Sequence, residues 1–338
     1  MDVCYVAFTG RASEVLKQAG NPNTMTIHKL LYYPKRQKDG SYTFSMRKDR
    51  PSYKLLVVDE ISMVTKKLWK DLLKTGSYIV GLGDPFQIPA IGKSAGLLEK
   101  PHIFLDQIMR QAAESDIIQI SMKLREGKKL TPYEGNDIRI YPREALSIGM
   151  LNWADQCLCS TNETRRNMNN YIRKEIYHRD KPVDGDKLMC LHNSWKELSL
   201  SCSNPLVNGT IGIMHDPHFT NEMYRISRVP TSIPILYFDL EVGEDYFHNV
   251  RADVGTILNG EEYLTGDQKY RIGNCKDNPP LPIPFDYSYF ITTNKAQGSQ
   301  WNKVLVLEEG FPYSKINHDK LMYTAITRAI SKCTVILK

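Results

Sequence analysis

The stretch LLVVDEISMV, residues 55–64, places four apolar residues before Asp59 and Glu60 and then turns apolar again. An unbroken run of Leu and Val, bounded by polar residues, reads as a strand buried on both faces. Two adjacent carboxylates at the end of such a strand are costly to desolvate unless something binds them. An acidic pair in that position suits nucleotide hydrolysis. One carboxylate holds Mg2+ through water, and the next polarises the attacking water. The same pair also fits the commoner case of a strand that ends in a solvated turn, so the rest of the chain has to decide.

Outward from this strand, the pattern alternates. CYVAFT (4–9) is a short buried strand. RASEVLKQAG (11–20) follows as a helix with Ala12, Val15, Leu16 and Ala19 on one face and Gly20 as its stop. TKKLWKDLLK (65–74) is a helix and YIVGLGD (78–84) a strand. From Ser115 a helix carries Ile117, Ile120 and Leu124 on one face. QCLCST (156–161) is a strand, and the helix after it stacks Met168, Ile172 and Ile176. Between about 184 and 280, Gly, Asn, Pro and short alternating segments indicate a small β insert. YSYFITT (287–293), KVLVLEE (303–309), DKLMYTAITRA (319–329) and CTVILK (333–338) then return to strand, strand, helix and strand. Apolar strands alternating with helices predict an α/β fold built on parallel sheets.

The bulk numbers narrow the classes. A chain of 338 residues is long enough for two or three domains with cores of their own. It has no run of eighteen apolar residues and no basic-then-apolar leader, so no membrane span or signal peptide is read. Its seven cysteines are scattered and none forms a CxxC, which argues against zinc and for reduced thiols in a cytosol-like compartment. Net charge is +6, and residues 1–54, with ten Lys or Arg against four Asp or Glu, account for all of it. Tyr32, Tyr33, Tyr42, Phe44 and Tyr53 are interleaved with these charges. Such a segment can grip a nucleic-acid strand by phosphate contact and stacking, or be a solvated basic surface. Asp39-Gly40 in its middle is a hairpin turn signal.

Three further constellations stand beside Asp59-Glu60. GLGDPFQIPAIG (81–92) again ends an apolar strand in polar groups. Gln87 there can sense a phosphate or a water without carrying charge, and Pro85 and Pro89 stiffen the loop. In YFITTNKAQGSQWNKVLVLEE (289–309), Thr292, Thr293, Lys295, Gln297, Gly298 and Ser299 sit just past a strand and offer N–H groups and hydroxyls to phosphates. In LMYTAITRA (321–329), Arg328 at the end of a helix can stabilise transition-state charge on a triphosphate.

In order and spacing these elements resemble the superfamily 1 helicases of the RecD/Dda-like, 5′-to-3′ group. DEISM resembles their motif II, GDPFQIPAIG motif III, TTNKAQGSQW motif V and YTAITRA motif VI. AFTGRASEVL with TMTIHKLL resembles motif Ia, and FLDQIMRQ resembles motif IV. VNGTIGIM (207–214) is similar to part of the group's SH3-like module, and the basic hairpin sits where the group carries its strand-splitting pin.

The resemblance implies two RecA-like parallel-sheet domains of the P-loop NTPase fold. The first would span 1–148, with the basic hairpin at about 34–54, and be incomplete at its N-terminus. The second would be UvrD-like, span 149–183 and 281–338, and carry an SH3-like insert at 184–280. It implies ATP and Mg2+ as cofactors, with Asp59 holding the metal through water. Catalysis would fall to Asp59, Glu60, Gln87, Arg328 and Arg110, the last as an arginine finger. Asp84, Gln297, Gly298 and Ser299 would bind nucleotide. Thr9, Thr26, His28, Lys29, Lys35, Arg36, Thr292, Thr293 and Lys295 would touch DNA. Single-stranded and forked DNA would be the partners of a monomer working in replication, recombination or repair, in a host cytoplasm if phage-encoded. The competing class is a helicase-derived nucleic-acid-binding subunit that does not hydrolyse ATP.

Two positions depart from the group's pattern. Asn294 stands where it usually has His, and still donates and accepts hydrogen bonds. More seriously, the group opens with a strand, GxxxxGK[ST] and a helix, whereas here the motif Ia likeness starts near residue 5. Gly92-Lys93-Ser94 is a decoy, because the glycine needed five residues before Gly92 is Gln87. The phosphate loop is therefore expected outside these residues, through a split gene, an intervening element or a late start codon, or on a separate peptide. A gap is expected beside the LLVVDE strand where the loop's own strand would lie.

Overall fold

The computed structural model of the chain describes residues 2–36, 42–89, 93–105, 115–200, 205–227, 229–275, 277–310 and 315–338. The chain forms two compact units. One comprises residues 1–32, 46–165 and 291–338, the other 33–45 and 166–290. Both parallel sheets belong to the first unit.

The first sheet has four parallel strands, in the order Thr24–Thr26, Val3–Ala7, Leu55–Asp59, Tyr78–Gly81. Its core is the apolar run read in the sequence: Cys4, Val6, Leu56 and Val58 are buried together with Ile27, Leu30 and Leu31. Threonines start the flanking helices. Thr9, Thr26 and Thr65 each accept a backbone N–H three residues on, as N-caps do. Helix Lys66–Leu73 buries Leu68 and Leu72, one turn apart, and its buried Asp71 accepts from Tyr32 Oη at 2.7 Å.

The expected gap beside LLVVDE is not there. Leu55–Asp59 pairs along both edges, with Val3–Ala7 and with Tyr78–Gly81, so no strand can insert next to it. The open edge lies one strand further out. Tyr78 N and Leu82 N bond inward to Lys54 O and Val58 O, which turns the N–H and C=O groups of Ile79 and Gly81 outward. Tyr78, Val80 and Leu82, on one side of this strand, are 83%, 46% and 48% exposed. Parallel strands are normally covered on both faces, and this one is bare.

The second sheet runs Phe290–Thr292, Gln156–Cys159, Trp301–Leu307, Ala329–Ile336, Ile138–Tyr141, Tyr133–Glu134. Trp301–Leu307 is parallel to both of its neighbours, and the Tyr133–Glu134 edge is antiparallel. Helix Asp116–Arg125 buries Ile117, Ile120 and Leu124, the face its spacing predicts. The helix after Cys159 differs from expectation. Ile172 is buried but Met168 and Ile176 are only half-buried, while Arg165, Asn169 and Arg173 are buried. Asn169 bonds the Tyr287 and Phe290 carbonyls and the Phe290 N–H, and a π-helical turn over Ile172–Ile176 shifts the faces beyond it.

The second unit centres on a five-stranded antiparallel sheet, ordered Asp245–Asp253, Val229–Val242, Ile211–Ile226, Lys187–Cys190, Phe285–Tyr287. Short strands were expected here, but two of these are 16 and 14 residues long. Register slips between His215 and His218, where Asp216 takes φ 50° and Pro217 follows, so a bulge absorbs the proline. The basic hairpin appears as Tyr32–Arg36 paired with Tyr42–Met46, and its Asp39-Gly40 turn lies outside the described residues.

Candidate nucleotide and nucleic-acid site

Asp59 is the last residue of its strand, paired with Ala7. Glu60 then takes a left-handed conformation, φ 50° and ψ 46°, and swings the chain into a 3-10 turn at Ile61–Met63. A non-glycine residue held there carries backbone strain, which concentrates at functional sites. Ile61 N bonds Leu82 O at 2.9 Å, tying this turn to the next loop. A side chain at Gly81 or Gly83 would collide with Ile61, so these glycines let the two loops approach.

One Glu60 oxygen, Oε2, is buried and makes no hydrogen bond, and the same holds for Gln87 Oε1. Burial pushes the Glu60 carboxyl above the ordinary carboxylate range. Arg328 offsets part of this, Asp59 and Asp84 add to it, and the Gln87 amide lowers it slightly. The group is a carboxylate kept short of partners within reach of a guanidinium. Arg328 is buried, with Nε on Thr324 O at 3.0 Å and a terminal nitrogen on Ser299 O at 3.4 Å.

The 84–88 loop is fixed on several sides. Asp84 Oδ1 accepts from Phe86 N at 2.9 Å, and Asp84 Oδ2 accepts from Tyr323 Oη at 2.5 Å. Thr324 Oγ1 accepts from Ile88 N at 3.0 Å, and Gln297 Nε2 donates to Ile88 O at 2.8 Å. The Arg125 guanidinium lies 3.9 Å from the Phe86 ring centre, and Phe86 leans on Tyr323. The structure thus brings together Asp59, Glu60, Asp84, Gln87, Gln297 and Arg328, as their motifs suggested. Tyr323, Thr324 and Arg125 were missed. Tyr323 and Thr324 lie inside YTAITRA, but their partners are more than 200 positions away. Arg110 falls outside the described residues. The decoy Lys93-Ser94 leads into no helix: Ser94 forms a β-bridge with Thr65, and its hydroxyl accepts from Gly96 N.

The residues assigned to DNA divide. Thr9 and Thr26 cap helices through Oγ1, and Lys29 is exposed. His28 sits 5.7 Å from both the Phe8 and Tyr32 rings, and burial lowers its pKa. Gly298, at φ 77°, runs so close to helix Gly10–Gln18 that a Cβ there would lie 2.8 Å from Thr9 Oγ1. Thr292 and Thr293 are buried, and the Thr293 hydroxyl donates to Cys159 O, so these side chains face the fold while Lys295 is exposed. Lys35 and Arg36 lie on the first hairpin strand.

Two α/β sheets whose loops meet over an acidic pair, a glutamine and a buried arginine define a RecA-like motor fold. Residues 1–141 match the AAA domain family, and residues 287–336 match the UvrD-like helicase C-terminal domain family. The ATP-dependent RecD2 DNA helicase of Deinococcus radiodurans is 27% identical over 97% of this chain and 42% of its own length. The ATP-dependent DNA helicase dda of Enterobacteria phage T4 is 23% identical over 96% of this chain and 85% of its own. The chain thus spans less than half of the first relative and most of the second. The crystal structure of a Bacteroides Pif1 helicase with ADP-AlF3 and single-stranded DNA covers 100% of this chain and 82% of its own, with a TM-score of 0.53 at 14% identity. Over nearly its whole length the chain is similar to superfamily 1 helicases of the RecD/Dda-like group, and the likeness to Pif1 shows a shared fold.

Proposed function

We propose that this polypeptide is the motor part of an ATP-dependent DNA helicase that moves on single-stranded DNA and opens forked duplex. The observation that carries this reading is the pair of orphaned buried acceptors, Glu60 Oε2 and Gln87 Oε1, at the carboxyl end of a parallel sheet with Arg328 in electrostatic reach. Glu60 takes the proton of the attacking water. A raised carboxyl pKa suits that task, because a base works best when its pKa is near the working pH. Gln87 orients the water, and Arg328 stabilises charge developing on the phosphoryl oxygens. Arg110 is the first arginine finger of this scheme.

Asp59 holds Mg2+ through water. Bound ATP with Mg2+ supplies the phosphoryl group. Gln297, Gly298 and Ser299 line the nucleotide side. These 338 residues contain no GxxxxGK[ST], and the bare Tyr78–Gly81 edge offers a place where a phosphate-loop strand could pair.

DNA is gripped by Thr9, Thr26, His28 and Lys29, by Lys295 with the Thr292-Thr293 backbone, and by Lys35 and Arg36 on the hairpin. The antiparallel insert at 184–280 acts as the SH3-like module. No helix among the described residues is long and apolar enough to cross a membrane. Work as a monomer in the cytoplasm, alongside replication or recombination proteins, completes the reading. The test is ATP hydrolysis by the full-length polypeptide, with and without single-stranded DNA, against Glu60→Gln. DNA-stimulated turnover that the substitution abolishes is expected. Turnover that survives it overturns the role of Glu60.

A further inference from the structure

The loop that carries Gln87 is held mainly by hydrogen bonds from a helix far away in the chain. Tyr323 Oη reaches Asp84 at 2.5 Å and Thr324 Oγ1 receives the Ile88 amide at 3.0 Å, so consecutive residues of helix Lys315–Ile326 grip the loop on either side of Gln87. Both residues are anchored. Thr324 is fully buried and donates its hydroxyl to Lys320 O at 2.7 Å, and Tyr323 is 8% exposed and packs on Phe86. The helix ends at Ile326, and a two-residue turn brings Arg328 back onto it, with Nε donating to Thr324 O at 3.0 Å. A shift of this helix therefore moves Arg328 and Gln87 together relative to Glu60.

We propose that Tyr323 and Thr324 are positioning residues that act through Asp84 and the Ile88 amide to hold Gln87 against Glu60 in register with Arg328. Asp84 accordingly serves the site by taking the Tyr323 hydroxyl and the Phe86 amide rather than by binding nucleotide directly. Arg125, stacked on Phe86, braces the same loop from helix Asp116–Arg125. The proposal deepens the ATP-hydrolysing reading and rests on it for its kinetic consequence, but the latch itself is a property of the folded chain.

Three variants of the full-length protein test it: Tyr323→Phe, which removes one hydroxyl, Thr324→Val, which removes the acceptor at nearly constant volume, and Thr324→Ser, which restores it. Amide hydrogen exchange is read at Phe86 and Ile88. Faster exchange at Ile88 in Thr324→Val, recovered in Thr324→Ser, and faster exchange at Phe86 in Tyr323→Phe are expected. Unchanged exchange in both truncations overturns the latch whether or not the protein hydrolyses ATP. DNA-stimulated turnover is read on the same samples. In Tyr323→Phe and Thr324→Val, kcat should fall about ten- to a hundredfold, the scale of a small misplacement of a reacting group, with KM for ATP within about twofold. Thr324→Ser should recover kcat. A raised KM with unchanged kcat would mean the loop binds nucleotide and does not position Gln87, and no change in either would reduce the bonds to packing. No turnover in the unsubstituted protein overturns the ATPase reading and leaves the exchange result to judge the latch.

Discussion

In the unit that carries the parallel sheets, Glu60 keeps a buried oxygen without a hydrogen bond. In the unit built on the antiparallel sheet, Glu222 is surrounded. It accepts from Arg251 through both oxygens, from Tyr237, and from Tyr224 at 3.2 Å. Arg251 extends the network to the Pro280 carbonyl at 2.7 Å. Burial acts on both acids in the same direction, upward. At Glu222, Arg251 and the tyrosines overturn it and hold the carboxyl below its usual range, while at Glu60 nothing does. A buried carboxylate with every lone pair filled is part of the scaffold. One left wanting is reserved for something that arrives.

The comparison breaks most visibly in turnover. Glu60→Gln should lower DNA-stimulated ATP hydrolysis by at least about a hundredfold, as loss of a general base does, without lowering thermal stability. A destabilised Glu60→Gln would place Glu60 with Glu222, as scaffold. Glu222→Gln should do the reverse. It leaves Arg251 short of a partner and should cost about 2–3 kcal/mol, the low side for an ion pair that is not fully buried, with turnover per folded molecule unchanged. Urea unfolding of each variant against the parent reads both values.

Acidity sharpens the contrast. The native Glu60 carboxyl lies above its unfolded value, so its contribution to stability is present below the unfolded pKa and is lost as pH rises through the native one. Glu222 lies below its unfolded value, so its contribution is present above the unfolded pKa and is lost as pH falls through the native one. Between about pH 4 and pH 8, melting curves should show Glu60→Gln gaining on the parent and Glu222→Gln falling behind it, both more so at the higher pH. Parallel trends would remove the distinction. The smallest effect is expected outside both carboxylates. Neutralising Lys35, Arg36 and Lys38 together should reduce the slope of log affinity against log salt for single-stranded DNA by about 2. An unchanged slope removes the hairpin from the DNA path.

Much of this was legible in the sequence, where local chemistry fixes local structure. Apolar runs gave the Val3–Ala7, Leu55–Asp59 and Tyr78–Gly81 strands, and the motifs named several residues that the structure gathers around Glu60. What escaped depends on distance along the chain or on sidedness. No periodicity reveals that Tyr323 meets Asp84 across 239 positions. The helix after Cys159 was read by its Met and Ile, but buried Asn169 serves the Tyr287 and Phe290 backbone, a demand set by another strand. The long strands of the insert were hidden because Pro217, Pro230 and Pro234 break the local signal, while a bulge and cross-strand pairing accommodate them. The position of the open edge was misjudged because strand order is set by pairing, which a motif string does not encode.

That edge governs how molecules of this polypeptide behave toward one another. A strand with outward N–H and C=O groups and three exposed apolar side chains is a template for any extended chain that meets it. While the edge stays uncovered, crowding favours intermolecular sheet growth over the dispersed state. A segment that paired with the Tyr78–Gly81 strand would therefore also act as a solubility guard, keeping molecules of this polypeptide dispersed.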